Sequence, residues 1–199
     1  YDGRIIAERY AAGFTLQTPQ LGWSMTKSVT NALVGVLVKE GKLKLQDPAP
    51  VPEWRSPGDP RAAITLDELL RMSSGLRFKE DYKNPRSDVI RMLFAEPDAG
   101  AYAAEKPLEV SPNSRWSYSS GTANIISRIV RQSVGGSLSD FTAFVHRALF
   151  DKVGMASAVI EPDPSGTFVG SSFMYATPRD WARFGLLYFN DGVWKNERI

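Results

Sequence analysis

The sequence predicts an α/β (α+β) fold in which a helical domain packs on an antiparallel sheet that residues 1–199 supply only in part. Three observations predict it. Apolar residues recur at helical spacing near 24–40, 120–134, 139–150 and 177–188. β-compatible pieces are few and short, at 4–10 and within 157–175. No internal repeat or low-complexity stretch interrupts the order. At 199 residues with 43% hydrophobic content, the chain can bury a sizeable core. We expect one domain over 1–199, with an N-terminal strand and loop at 1–23 and a mainly helical region at 24–199.

Arg4–Tyr10 follows Asp2-Gly3, a strong hairpin dipeptide, and is expected as the second strand of a hairpin. Residues 24–40 place Met25, Val29, Ala32, Leu33, Val36 and Leu37 on one face and Val34 and Val38 on the other, so this helix belongs in the interior. Gly41 is its expected C-cap. Residues 44–63, rich in Pro, Asp and Gly, read as irregular surface structure. Thr65 and Glu68 form a capping box for a helix to Met72. A polar loop at 76–86 precedes a helix capped by Ser87 or Asp88 and running through Phe94. The four prolines within 96–115 suggest a long surface excursion.

Ser119 or Ser120 then caps a helix closed by Gly135-Gly136, and Ser139 is the expected cap of the next, whose stripe is Phe141, Phe144, Val145 and Leu149. Thr177-Pro178 opens the last helix, with Thr as N-cap and Pro at the first helical position. Val193–Ile199 offers no closing element, and Tyr1 is not a start methionine, so the chain reads as a stretch of a longer protein.

Composition excludes several classes of function. A net charge of +2 without a basic block argues against nucleic acid and acidic membrane surfaces. No apolar run approaches the roughly 18 residues of a membrane span. The absence of cysteine excludes disulfides and thiolate metal sites but leaves the compartment, cytoplasmic or periplasmic, open. One histidine, His146, and dispersed acids give no ligand cluster, so no metal or other cofactor is expected. Oligomeric state is open.

Ser24-Met25-Thr26-Lys27 carries the chemistry. On a helix, positions i and i+3 share a face, so Ser24 Oγ and Lys27 Nζ can meet. A serine hydroxyl becomes a useful nucleophile when a neighbour draws off its proton, and a partly desolvated lysine can do so or can assist a second base. Taken alone, the same four residues also describe a helix start with a solvated lysine. The apolar helix weakens that reading, because a buried ammonium needs partners or a task. Trp116-Ser117-Tyr118-Ser119-Ser120 is a second constellation: a tyrosine just before a helix can project into a cleft, or can simply be a core aromatic beside a cap.

Together these segments resemble the serine β-lactamase-like hydrolases of the penicillin-binding fold. The nearest branches are class C β-lactamases, carboxylesterases and 6-aminohexanoate-dimer hydrolases. Gly22–Ser28 resembles the S-x-x-K motif, Ile64–Leu76 the helix-and-turn signature, Trp116–Gly121 the Y-x-N or Y-x-S motif, and Ala176–Gly185 the helix that follows. The third motif, Lys-x-Gly or His-x-Gly, falls beyond Ile199.

The resemblance implies that Ser24 is the nucleophile and that its N–H donates to the oxyanion. It implies that Lys27 lies between Ser24 and Tyr118, and that Tyr118 exchanges protons with Ser24, the leaving group and water. Whether Lys27 or Tyr118 is the acylation base stays open at this point. Ser120, where class C enzymes have Asn, would bond Lys27 or substrate, and Tyr82 could reach over the cleft to a substrate amide. The implied reaction is cleavage of a small-molecule amide or ester through an acyl-serine. β-Lactamase or D-alanyl-D-alanine peptidase-like activity is the alternative within the family. A non-catalytic binding domain or an inactive truncation on the same fold is the alternative outside it.

Overall fold

The computed structural model describes residues 1–199. Of the eight helices, α5 (Ser120–Ser133) is the most deeply set, all but its last turn being buried. Around it lie α1 (Thr26–Lys39), α2 (Leu66–Leu70), α3 (Asp88–Phe94), α4 (Ala99–Ala104) and α6 (Leu138–Val145); α7 (Asp151–Val153) and α8 (Pro178–Phe189) complete the set. A three-stranded antiparallel sheet of order β1-β3-β2 is built from β1 (Gln20–Leu21), β2 (Val159–Ile160) and β3 (Met174–Ala176). Leu21 and Val159 both register on Tyr175, from opposite sides. A separate hairpin joins β4 (Val193–Trp194) to β5 (Glu197–Arg198). This is the expected α+β arrangement, with the sheet small beside the helices.

Local signals explain the helix ends. Gly41, at φ +71°, ends α1: its N–H bonds Val38 O and the Lys42 N–H reaches back to Leu37 O. At α2, Thr65 Oγ1 accepts from the Glu68 N–H at 3.2 Å and Glu68 Oε2 accepts from the Thr65 N–H at 2.9 Å, the reciprocal box read from the sequence. Ser119 caps α5 through the Thr122 N–H. Val29, Leu33, Val34 and Leu37 of α1 are buried in one core with Ile125, Ile126, Ile129 and Val130 of α5. Truncating such a side chain to alanine costs about 2–5 kcal/mol.

Several expectations are corrected. Arg4–Tyr10 is not a strand: it finds no ladder partner within residues 1–199, and Ile5 and Ile6 are exposed. The excursion at 96–115 contains α4, which sequence periodicity conceals because it packs through Ala99, Gly100, Ala103 and Ala104 rather than through a stripe of large residues. Asp98 caps it by accepting from the Ala101 N–H. Ser137, not Ser139, caps α6, because Gly135 and Gly136 at positive φ turn the chain two residues earlier. Beyond Val145 the helix widens into a π turn at His146–Phe150 before α7. Met25 lies outside α1 and is exposed. Thr177 holds the N-cap position of α8, but its hydroxyl accepts from Ser157 instead of from the helix. Finally, residues 193–198 do close on themselves as a hairpin, around Lys195 and Asn196 at positive φ.

Candidate active site

Ser24 stands in a 3₁₀ turn, Trp23–Met25, that leads into α1. The Gly22 N–H ties the turn to β3 through Met174 O at 2.8 Å, and Trp23 takes φ +44°, an uncommon conformation for a bulky residue. Trp23 remains half exposed, its ring edge on Phe173 at 6.0 Å. Beside it opens a cleft of about 680 Å³ whose lining combines Leu21, Trp23, Phe94, Phe173 and Tyr175 with the acidic Glu96, Glu161 and Asp163.

One turn on, Lys27 Nζ donates to three oxygens: Ser24 Oγ at 3.2 Å, Ser120 Oγ at 3.1 Å and the Ser171 carbonyl at 3.0 Å. An ammonium has three protons and no lone pair, so this set satisfies it completely. The carbonyl is held there by both principal helices. Thr30 of α1 donates to Gly170 O at 2.9 Å, and Ser127 of α5 donates to Phe168 O at 2.7 Å. A Cβ on Gly170 would lie 2.5 Å from Thr30 Oγ1, so only glycine allows this approach. Buried Asn124 completes the clamp: its Oδ1 accepts from the Ser171 N–H and its Nδ2 donates to Ser171 Oγ.

Tyr118 arrives from the extended arm before α5, anchored where the Ser117 N–H bonds Met72 O at 2.8 Å. Its hydroxyl donates to Ser24 Oγ at 2.7 Å, and Lys27 Nζ lies 4.9 Å from its ring centroid. The Tyr118 ring is partly exposed and rests against Trp116. The hydroxyl, the ammonium and the phenol therefore meet in space from two separate parts of the chain.

Tyr82 lies with its hydroxyl 3.3 Å from Ser120 Oγ, although its ring is half exposed. Burial of the hydroxyl end, reinforced by the nearby Glu80 charge, pushes Tyr82 up to about 12. All five residues expected from the sequence, Ser24, Lys27, Tyr82, Tyr118 and Ser120, thus join one hydrogen-bonded network. His146 lies far along the chain at the end of α6, beside Asp151 and Phe150 and apart from that network.

A family model described as Beta-lactamase matches residues 1–198. The chain belongs to the beta-lactamase family. It is 26% identical over 208 residues to the 6-aminohexanoate-dimer hydrolase of Paenarthrobacter ureafaciens, covering 98% of this chain and 52% of that protein. A Bacillus anthracis structure provisionally named 6-aminohexanoate-dimer hydrolase superposes with a TM-score of 0.79 at 24% identity, covering 96% of this chain and 53% of its own. The D-amino acid amidase of Ochrobactrum anthropi SV3, in complex with L-phenylalanine, gives a TM-score of 0.67 at 22% identity, covering 90% and 57%. The two structures share the beta-lactamase-like fold with this chain. The chain spans about half the length of the relatives it matches. No helix is long and apolar enough to cross a membrane.

The Ser171 carbonyl lies in Gly170-Ser171-Ser172, which the sequence offers either as a border of the pocket or as a turn. Another participant in the beta-lactamase-like site, Glu80, carries no such signal. Glu80 accepts from the Ser120 N–H at 2.8 Å, from Ser120 Oγ, and from the Tyr82 hydroxyl at 3.0 Å. In the sequence, Lys79-Glu80-Asp81 is indistinguishable from a solvated loop. The only signal available was its proximity to Tyr82.

Proposed function

We propose that the protein is a serine hydrolase that cleaves an amide or ester bond through an acyl intermediate on Ser24. The observation that carries this is the convergence on Ser24 Oγ of the Tyr118 hydroxyl at 2.7 Å and Lys27 Nζ at 3.2 Å. A hydroxyl so placed loses its proton to a neighbour within hydrogen-bond reach as it attacks a carbonyl carbon. The proton then passes to the departing amine or alcohol. Water enters by the reverse path, giving up a proton to the same group while Ser24 is released. The Ser24 N–H, at the entrance to α1, is a donor for the developing oxyanion, at the end of the helix where its dipole favours negative charge.

The substrate class follows from two supports. The 6-aminohexanoate-dimer hydrolase and the D-amino acid amidase among the relatives are both named for amide substrates. Ser120 stands where the class C pattern carries Asn, which favours the oligomer-hydrolase and esterase branch over β-lactamase activity. The cleft beside Trp23 offers apolar side chains to an alkyl or aryl portion of such a substrate, and Glu96, Glu161 and Asp163 in its lining disfavour a negatively charged one.

The test is covalent. Full-length protein treated with a fluorophosphonate is expected to gain one adduct, mapped to Ser24 by peptide mass, and Ser24→Ala to gain none. A binding module would stay unlabelled.

A further inference from the structure

We propose that Trp116 is a specificity-determining residue whose indole forms one wall of a subsite for the departing amine or alcohol and favours a flat aryl group there. The inference rests on the hydrolase reading above and names the side of the substrate that this residue reads.

Trp116 is 68% exposed and Tyr118 36% exposed, and their rings lie 6.4 Å apart at 51°. The two residues stand two positions apart on the extended arm, so their side chains leave the backbone on the same side. Such positions are separated by roughly 6.6 Å along an extended chain. A ring separation that matches this spacing means that the two side chains run out side by side, with the indole level with the phenol. The arm is tied on both sides of Trp116: the Asn113 N–H bonds Ser73 O at 2.7 Å, and the Ser117 N–H bonds Met72 O at 2.8 Å. Trp116 therefore presents a fixed, flat apolar surface to solvent next to the site.

Its position decides what it can touch. As Ser24 Oγ bonds the substrate carbonyl carbon, the scissile carbon–nitrogen or carbon–oxygen bond breaks, and the departing atom collects the proton that left Ser24. The Tyr118 hydroxyl lies 2.7 Å from Ser24 Oγ, and Lys27 Nζ lies 4.9 Å from the Tyr118 ring centroid. Whichever of the two carries the proton, the departing atom comes up beside the Tyr118 ring, and its substituent extends along that ring to Trp116. The other half of the substrate has a separate surface. The cleft beside Trp23 includes Phe94, Phe173 and Tyr175 in its lining but neither Tyr118 nor Trp116. Ser24 thus stands between two aromatic surfaces that share no residue, one reached through its chain neighbour Trp23 and the other through its hydrogen-bonded partner Tyr118. An aryl group stacks on an indole or meets it edge to face, whereas an ethyl group covers little of it.

The experiment compares phenyl hexanoate with ethyl hexanoate on full-length wild type, Trp116→Ala and Trp116→Phe. Both esters give the same hexanoyl-Ser24 and differ only in the group that departs, so kcat/KM reads the leaving side. Trp116→Ala removes an exposed side chain and keeps both main-chain anchors, so it is expected to fold, which circular dichroism checks. It is expected to lower kcat/KM roughly tenfold for the phenyl ester and less than about twofold for the ethyl ester, with Trp116→Phe near wild type. The hexanoyl-enzyme gives a second reading, because an incoming acceptor occupies the place that a departing group leaves. Wild type is expected to transfer the hexanoyl group to benzyl alcohol in preference to methanol, the alcohol's proton returning to Ser24, and Trp116→Ala to lose that preference. Equal losses on the two esters, no loss on either, or a loss that follows acyl length from acetate to hexanoate overturns the inference and leaves the hydrolase reading intact. Failure of wild type to label at Ser24 overturns the hydrolase reading itself, and this inference with it.

Discussion

Tyr118 donates its hydroxyl to Ser24 Oγ at 2.7 Å across a sequence separation of 94 residues. The contact joins the arm before α5 to the turn before α1, and it makes a local serine–lysine pair into a three-group site. Tyr118→Phe removes only the hydroxyl of a partly exposed ring. We expect kcat for a p-nitrophenyl ester to fall by roughly 10²–10⁴ with the melting temperature unchanged. A variant turning over at the wild-type rate refutes the role.

Lys27 is held by three oxygens, one of them main chain. Lys27→Ala is expected to lower kcat by roughly 10²–10⁴ in stopped-flow acylation assays, since it removes the charge beside both Ser24 and Tyr118. A loss confined to KM would instead make Lys27 a substrate-binding group.

Asn124 is fully buried and bonds Ser171 through both ends of its amide. Asn124→Ala leaves the Ser171 N–H without its partner inside the core. Urea unfolding is expected to report a loss of about 1–3 kcal/mol. Activity is expected to drop with it, because the Ser171 carbonyl is no longer held against Lys27. Unchanged stability would mean that another group takes over the bond.

Asp88 ties down the loop that carries Glu80 and Tyr82: its carboxylate accepts from the Lys79 N–H, the Tyr102 hydroxyl and Lys106. Burial raises the carboxyl, but Lys106, the Lys79 N–H and Tyr102 outweigh it and hold it below its ordinary 3.8. A carboxylate depressed in the folded state stabilises above its unfolded value and loses that contribution as pH falls through the folded one. Asp88→Asn is therefore expected to cost about 1–3 kcal/mol at pH 7, with the difference from wild type closing as pH drops below the ordinary carboxylate range. Parallel unfolding curves at both extremes would contradict this.

The sequence made some of this legible and concealed the rest for identifiable reasons. Ser24 and Lys27 lie one helical turn apart, and the Thr65–Glu68 box is complete within four residues, so both follow from local spacing. Tyr118 and Ser120 follow only from motif resemblance, because nothing local says which part of the fold a loop tyrosine will meet. Glu80 had neither support: its partner Ser120 is 40 residues away and its neighbours read as a solvated loop. Arg4–Tyr10 misled for the opposite reason. β-Compatible residues and a hairpin dipeptide are local, but a strand exists only with a neighbour. α4 was missed because close packing through alanine and glycine leaves no stripe of large residues.

The third oxygen that meets Lys27 belongs to the peptide backbone of residue 171. No codon change can delete a carbonyl, so drift at this position can swap the side chain yet never strip the lysine of its anchor. Only bending the main chain away would do so, and Thr30 and Ser127 oppose that from two directions. Laboratory evolution of this site therefore reaches this end of the lysine's tether only indirectly, through the side chains of Thr30, Asn124 and Ser127 that hold the main chain in place.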